Sequence, residues 1–174
     1  KMNVVPDPSE RCTTAIAWFG NAEQKARYLP LLASGAKIGS YALTEPGSGS
    51  DALSATTKAV LSPDGASYIV SGTKQFITNA GFADLYITFA KVDGDKFTAF
   101  LVERDFPGFA VGKKEDKLGI RASSTCELIL EDCRIPASQV LGEAGKGYKV
   151  AIETLNEGRI GIGAQMIGLA KGAL

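Results

Sequence analysis

The 174 residues carry 45% apolar and 22% charged side chains, with lysine plus arginine at 19 and aspartate plus glutamate at 19. That balance describes an ordinary globular chain and supplies no general basic surface for nucleic acid or an anionic membrane. Histidine is absent, which removes Ser-His-Asp and Cys-His catalysis and most transition-metal sites and leaves carboxylates, hydroxyls, amides or a borrowed cofactor to do chemistry.

The longest uncharged apolar run, residues 160–170, is interrupted by Gln165 and several glycines and falls short of the roughly 18 residues of a membrane span. The amino terminus shows no secretory signal pattern. Cys12, Cys126 and Cys133 form no CxxC pair and are odd in number, so free thiols in a reducing compartment are expected rather than a zinc site or a disulfide framework.

Residues 1–12, with Pro6 and Pro8, read as irregular, and residues 13–19 as a short apolar piece that Gly20 ends. Asn21 followed by Gln24 has the form of a capping box opening a helix. Pro30 fits the first turn of another short helix, with Leu31 and Leu32 turned inward and Gly35 as its stop.

After Lys37 the texture turns to β. Residues 58–61 lead into Pro63-Asp64-Gly65, a turn in which proline presets φ and glycine takes the awkward position. The return strand through Tyr68, Ile69 and Val70 is interrupted by Gly72. Leu85, Ile87 and Phe89 alternate with Tyr86, Thr88 and Ala90, a period of two. Asp93-Gly94-Asp95 then turns the chain back through Phe97, Ala99 and Leu101, and residues 126–131 alternate again. About six or seven strands joined by tight turns imply a small, mostly antiparallel barrel or pair of sheets.

From Gly147 the period becomes helical, with Val150, Ile152, Leu155, Ile162, Ile167 and Leu169 able to line an apolar face. Glycines in a helix interior cost about 1 kcal/mol each against alanine, so those between Gly158 and Gly172 are expected to pack closely against another backbone or a ligand. The expected fold is α+β: residues 1–36 as the end of a helical domain, residues 37–146 as a central antiparallel barrel-like β domain, and residues 147–174 as the first helix of another helical domain. The chain reads as an internal section of something longer.

The stretch SYALTEPGSGSD, residues 40–51, is the candidate functional loop. Its alternating glycines and serines offer bare amides and hydroxyls to a phosphate or another anion. A proline-glycine turn between strands is the structural alternative.

Taken with GTKQFITNA (residues 72–80), KKEDKLGIRASST (residues 113–125), LEDCRIP (residues 130–136) and GRIGIGAQMIGLA (residues 158–170), this loop stands in the order found in acyl-CoA dehydrogenases. The chain resembles that family, and its short-chain, butyryl-CoA type, over nearly its whole length. The resemblance implies FAD, an acyl-CoA thioester, and α,β-dehydrogenation to the trans-2-enoyl-CoA. A carboxylate would take the proton beside the thioester carbonyl while hydride leaves the β-carbon for flavin N5. Electrons would pass to electron-transferring flavoprotein. The family also implies a homo-oligomer, a tetramer, in bacterial cytoplasm or mitochondrial matrix.

By the same resemblance Tyr41, Ala42, Leu43, Thr44, Gly49 and Ser50 form one flavin wall, with Leu43 and Thr44 at the pyrimidine edge and Gly49 and Ser50 against the pyrophosphate. Ser50 also reaches the acyl-CoA. Phe76, Ile77 and Thr78 form the second flavin-contacting segment. Phe76 stands where the family commonly has tryptophan, keeping a ring but losing the indole N–H. Asn156, Glu157, Gly158 and Arg159 align with the substrate-contacting turn. The family places its catalytic base either at the position of Gly158, which has no side chain, or near the C-terminal end, beyond Leu174. The base is therefore expected outside these residues, and the 174-residue chain alone is expected to be inactive. Two other readings remain: a flavin oxidase or hydroxylase on the same fold, and a non-catalytic flavin- or CoA-binding module.

Overall fold

The computed structural model describes residues 8–174, with side chains from residue 10 onward. Helix α1 (Pro8–Phe19) and helix α2 (Ala22–Ala33) come first. The strands follow as β1 (Gly39–Ala42), β2 (Lys58–Leu61), β3 (Ser67–Thr78), β4 (Leu85–Val92), β5 (Lys96–Glu103), β6 (Phe109–Lys114), β7 (Thr125–Pro136) and the short β8 (Val140–Leu141). Helix α3 (Gly147–Ala173) closes the described chain.

Two expectations at the start are corrected. Residues 8–12 are helical, joined to residues 13–19 in one helix, while the remainder of the stretch read as irregular lies outside the described residues. Pro30 does not open a second helix: it sits inside α2, which begins at the expected box. The Asn21 side chain accepts from the Gln24 amide at 2.8 Å, and the Gln24 side chain accepts from the Asn21 amide at 3.1 Å. Proline is tolerated in this last turn because it forfeits only one intrahelical bond, and its carbonyl still accepts from the Ser34 amide at 3.1 Å.

The sheet runs β6-β7-β3-β2-β4-β5-β8, with β1 added beside β4. Five pairings are antiparallel, as expected. The β1–β4 and β2–β4 pairings are parallel. Strand β3 is not ended at Gly72 but runs through it with a shift of register. Glycine is needed there because a Cβ would lie 2.4 Å from Thr57 Oγ1.

Strand β4 alternates as the sequence predicts, yet both of its faces are buried. Tyr86 and Ala90 join Val70, Phe100 and Leu128 in a core enclosed by the sheet. Leu85, Ile87 and Phe89 join Ile16, Tyr28, Leu101 and Val150 in a second core beneath the helices. A helix layer over one face of a curled sheet makes that two-sided burial, and each fully buried large apolar side chain contributes about 1.5–3 kcal/mol.

The expected apolar face of α3 is realised only in its first half. Gly147, Val150, Ala151 and Thr154 are buried, whereas Ile167 and Leu169 are exposed. Gly161, Gly163, Gly168 and Gly172 have nothing within 4 Å of a virtual Cβ among the described residues. The close packing expected of these glycines is seen only at Gly158, which meets Arg11.

One polar arrangement sits inside this apolar frame. Strand β1 pairs with residues 85–88 of β4 and β2 with residues 91 and 92, which leaves Phe89 and Ala90 between them. Lys74 of β3, fully buried, fills that interval. Its Nζ donates to the Phe89 carbonyl at 2.6 Å and to Glu45 Oε1 at 2.7 Å. The Glu45 carboxylate accepts in turn from the Thr56 amide at 2.6 Å, the Thr56 hydroxyl at 2.9 Å and the Thr57 amide at 3.2 Å.

Burial pushes the Glu45 carboxyl upward, but the Lys74 ammonium and the Thr56 and Thr57 donors outweigh it and hold the group down at about 2. Burial pulls Lys74 below the ordinary lysine range, against the opposing pull of Glu45. Because the Glu45 value is depressed on folding, its stabilisation is complete above the ordinary carboxylate value of 4.5 and is lost as pH falls toward about 2. Removing one partner of a buried pair typically costs about 3–5 kcal/mol. Lys74→Met is expected to lose that much in urea denaturation at neutral pH and to flatten the acid limb of the stability profile between these two pH values. An unchanged midpoint would show that the pair contributes nothing.

Candidate functional site

The Lys74–Glu45 pair joins the two segments singled out in the sequence. Beside it the Gln75 amide donates to the Thr44 carbonyl at 2.9 Å, so residues 44–45 and 74–75 are fastened side by side. Glu45 and Ser48 then close a tight turn through paired backbone bonds of 2.9 and 3.1 Å. The Ser48 hydroxyl donates to the Asp51 carbonyl at 2.7 Å, so this serine is spent on the loop itself. Gly49 and Ser50 are exposed, and nothing lies within 4 Å of a virtual Cβ on Gly49. The loop therefore presents bare backbone, the arrangement that lets an anion approach amides.

On the neighbouring segment the β3–β7 register shifts between Lys74 and Ile77. Phe76 lies in this bulge with φ 58°, in the left-handed region, and its ring is 57% exposed. A bulky residue held there costs of order 1–3 kcal/mol and persists only where the surrounding structure over-determines it. Bulges re-aim side chains, and this one turns an aromatic face outward. Ile77, the next residue, is buried in the enclosed core, as is Ala42. These two have only backbone to offer a ligand. Thr78 is half-buried, and its carbonyl accepts from the Ser40 hydroxyl at 2.7 Å, which ties the end of β3 to β1.

Tyr41, Leu43 and Thr44 are half-buried. The Tyr41 ring packs against Phe89 at 5.4 Å, and its hydroxyl, pushed well above its ordinary value by burial, points to the Ala151 carbonyl of α3 at 3.5 Å. The side chain thus belongs to the contact between β1 and α3. On α3, Asn156 and Glu157 are exposed, and Arg159 Nη1 donates to Asn156 Oδ1 at 2.7 Å. Gly158 is half-buried and faces the Arg11 guanidinium.

Three features went unnoticed in the sequence. The ion pair of Lys74 with Glu45 has one signal, a lysine between strand residues where alternation asks for an inward side chain. Arg11 has none, because it lies in the part of α1 that Pro6 and Pro8 make look irregular in the sequence. An open cavity of about 510 Å³ beside the 3-10 turn Ala52–Ser54 is lined by Ser54, Thr56, Lys58, Lys91, Asp93 and Gly94. Lys58 and Lys91 face each other in register across β2 and β4, and only the fold brings them together. Among the described residues there is no cluster of potential metal ligands, and no helix is long and apolar enough to cross a membrane.

The architecture is a β domain with a helical layer over one face and an exposed glycine–serine loop at its edge. Residues 40–133 match the family model described as acyl-CoA dehydrogenase, middle domain. This chain belongs to the acyl-CoA dehydrogenase family. It is 49% identical over 166 residues to the short-chain specific acyl-CoA dehydrogenase of Clostridium acetobutylicum, covering 93% of this chain and 43% of that protein. Butyryl-CoA dehydrogenase from Megasphaera elsdenii superposes with a TM-score of 0.90 at 46% identity, covering 96% of this chain and 44% of that one. An acyl-CoA dehydrogenase from Bacillus anthracis, complexed with FAD, superposes with a TM-score of 0.89 at 53% identity, covering 91% and 28%. The chain spans well under half the length of the relatives it matches.

The geometry at residue 76 yields a test. Glycine adopts φ near 58° freely, and the Phe76 ring is more than half exposed. Phe76→Gly is therefore expected to keep thermal stability within about 1 kcal/mol of the parent. A loss of several kcal/mol would mean that the ring is a core group rather than an outward-facing one.

Proposed function

We propose that the whole protein is an FAD-dependent dehydrogenase of short-chain acyl-CoA thioesters, forming the trans-2-enoyl-CoA and passing electrons to electron-transferring flavoprotein. The observation that carries this reading is the exposed Phe76 ring, held in a strained bulge directly beside the loop of residues 44–51. An outward aromatic residue with half-buried Thr44 and Thr78 on the neighbouring backbone fits a flat heterocycle with a polar rim, and exposed Gly49 and Ser50 fit its pyrophosphate. Bound FAD supplies the hydride acceptor.

The chain's own residues orient and polarise. Thr44, with its local backbone amides, stabilises negative charge at the pyrimidine edge, and Thr78 donates toward N5. Ser50 contacts the acyl-CoA as well as the pyrophosphate. In the open cavity Lys58 and Lys91 bring two positive charges together, an arrangement that favours the phosphates of a CoA tail. Asn156, Glu157, Gly158 and Arg159 border the acyl end. Gly158 has no side chain and Glu157 is exposed on α3, so the proton is assigned to a carboxylate outside residues 1–174. The working protein is a homotetramer of bacterial cytoplasm or mitochondrial matrix in this reading.

The full-length protein, supplied with FAD and mixed anaerobically with butyryl-CoA, is expected to show a flavin band that bleaches. Glu157→Gln is expected to bleach at a rate within about threefold of the parent, since general bases contribute about 10²–10⁴ and this residue is not assigned that role. A folded protein that takes up no flavin would overturn the reading in favour of another binding function. Oxygen consumption with peroxide release would move it to an oxidase on the same fold.

A further inference from the structure

A second cavity, of about 200 Å³, lies between α1 and α3 and is lined by Arg11, Thr14, Thr154, Glu157, Gly158 and their neighbours Glu10, Ile160 and Gly161. It adjoins the segment of residues 156–159 to which the acyl end of the substrate is assigned. Arg11 is half-buried, and its Nε is shielded from solvent with no hydrogen-bond partner among the described residues. A virtual Cβ on Gly158 would lie 2.9 Å from Arg11 Nε and 3.1 Å from Nη2. A side chain at that position would have to push the guanidinium aside. Glu10 and Glu157 are exposed, and no ion pair among the described residues involves Arg11.

A guanidinium N–H withheld from water and left unpaired is unfavourable. The group that best answers it is a planar carboxylate, which the arginine fork can bind through two N–H donors. The small volume suits a short chain end rather than a ring or a long alkyl tail.

We propose that Arg11 is a specificity-determining residue that receives a carboxylate at the far end of the acyl chain, so that the favoured substrates are CoA thioesters of short dicarboxylic acids. This rests on the acyl-CoA reading above and narrows its substrate class. Thr14 and Thr154 line the remainder of the cavity, and Gly158 holds open the space in which the guanidinium sits.

The test uses isothermal titration of the full-length, FAD-loaded protein under argon with glutaryl-CoA and with uncharged hexanoyl-CoA. The parent is expected to bind glutaryl-CoA at least about tenfold more tightly, the scale of one charge-assisted hydrogen bond. Arg11→Leu is expected to abolish that preference while holding hexanoyl-CoA within about threefold of the parent, and Arg11→Lys to restore part of it. Circular dichroism identifies any variant that fails to fold, in which case Arg11→Lys and Arg11→Gln decide. Equal affinities in the parent, or equal weakening of both thioesters in the variants, would overturn the assignment while leaving the acyl-CoA reading intact. Binding of neither thioester would remove that reading and this inference together.

Discussion

A charged pair sealed inside the sheet is the constraint on which the candidate site depends. Lys74 and Glu45 are both buried, and burying an ion pair is favourable only when geometry is good and remaining donors and acceptors are answered. Here they are answered by the Phe89 carbonyl on one side and by Thr56 and Thr57 on the other. The pair occupies the place where β1 has stopped pairing with β4 and β2 has not yet begun. It thus completes a sheet that the backbone alone leaves open, and the side chains that complete it come from the two segments assigned to the cofactor. Position 45 leads directly into the exposed loop, and position 74 lies two residues before the outward-turned Phe76. Shifting either partner would move both walls.

A second polar cluster ties α2 to this frame. Glu103, at the end of β5, accepts from Tyr28 at 2.8 Å and Lys37 at 3.1 Å and pairs with Arg27, while Gln24 donates to the Ser138 and Val140 carbonyls. Burial acts to raise the Glu103 carboxyl, and the Tyr28 and Lys37 donors with the Arg27 charge bring it below the usual range. Helix α1 is held instead by apolar packing of Cys12, Ala15 and Ile16 in the core beneath the helices, and this carries Arg11 to α3. The edge formed by residues 44–51 and Phe76 and the α1–α3 cavity are separate places, connected through Tyr41, which packs on Phe89 and reaches Ala151.

Local signals were legible where the physics is local. Asn21 and Gln24 give a helix start because capping bonds span three residues, and the alternation of residues 85–90 gives a strand because side chains alternate on a pleated backbone. The glycines and serines of residues 47–50 mark an exposed turn for the same reason. What stayed hidden depends on distant partners. Nothing in the sequence near Lys74 states that its charge meets Glu45, 29 positions away. Phe76 carries no sign of positive φ, because the bulge is imposed by pairing with β7. The two-sided burial of β4 was missed because alternation reports one buried face and cannot report a helical layer over the other. Residue preference makes Pro30 a helix start, and the packing of α2 overrides that preference.

In the proposed reading the segments fastened by Lys74 and Glu45 are two walls of one flavin site. A crystal structure of the full-length protein with bound FAD tests it most directly. The account predicts the isoalloxazine ring within about 4 Å of Phe76, its pyrimidine edge at Thr44, and the pyrophosphate at Gly49 and Ser50. A flavin bound away from these residues, or Phe76 covered instead by another part of the protein, would contradict it.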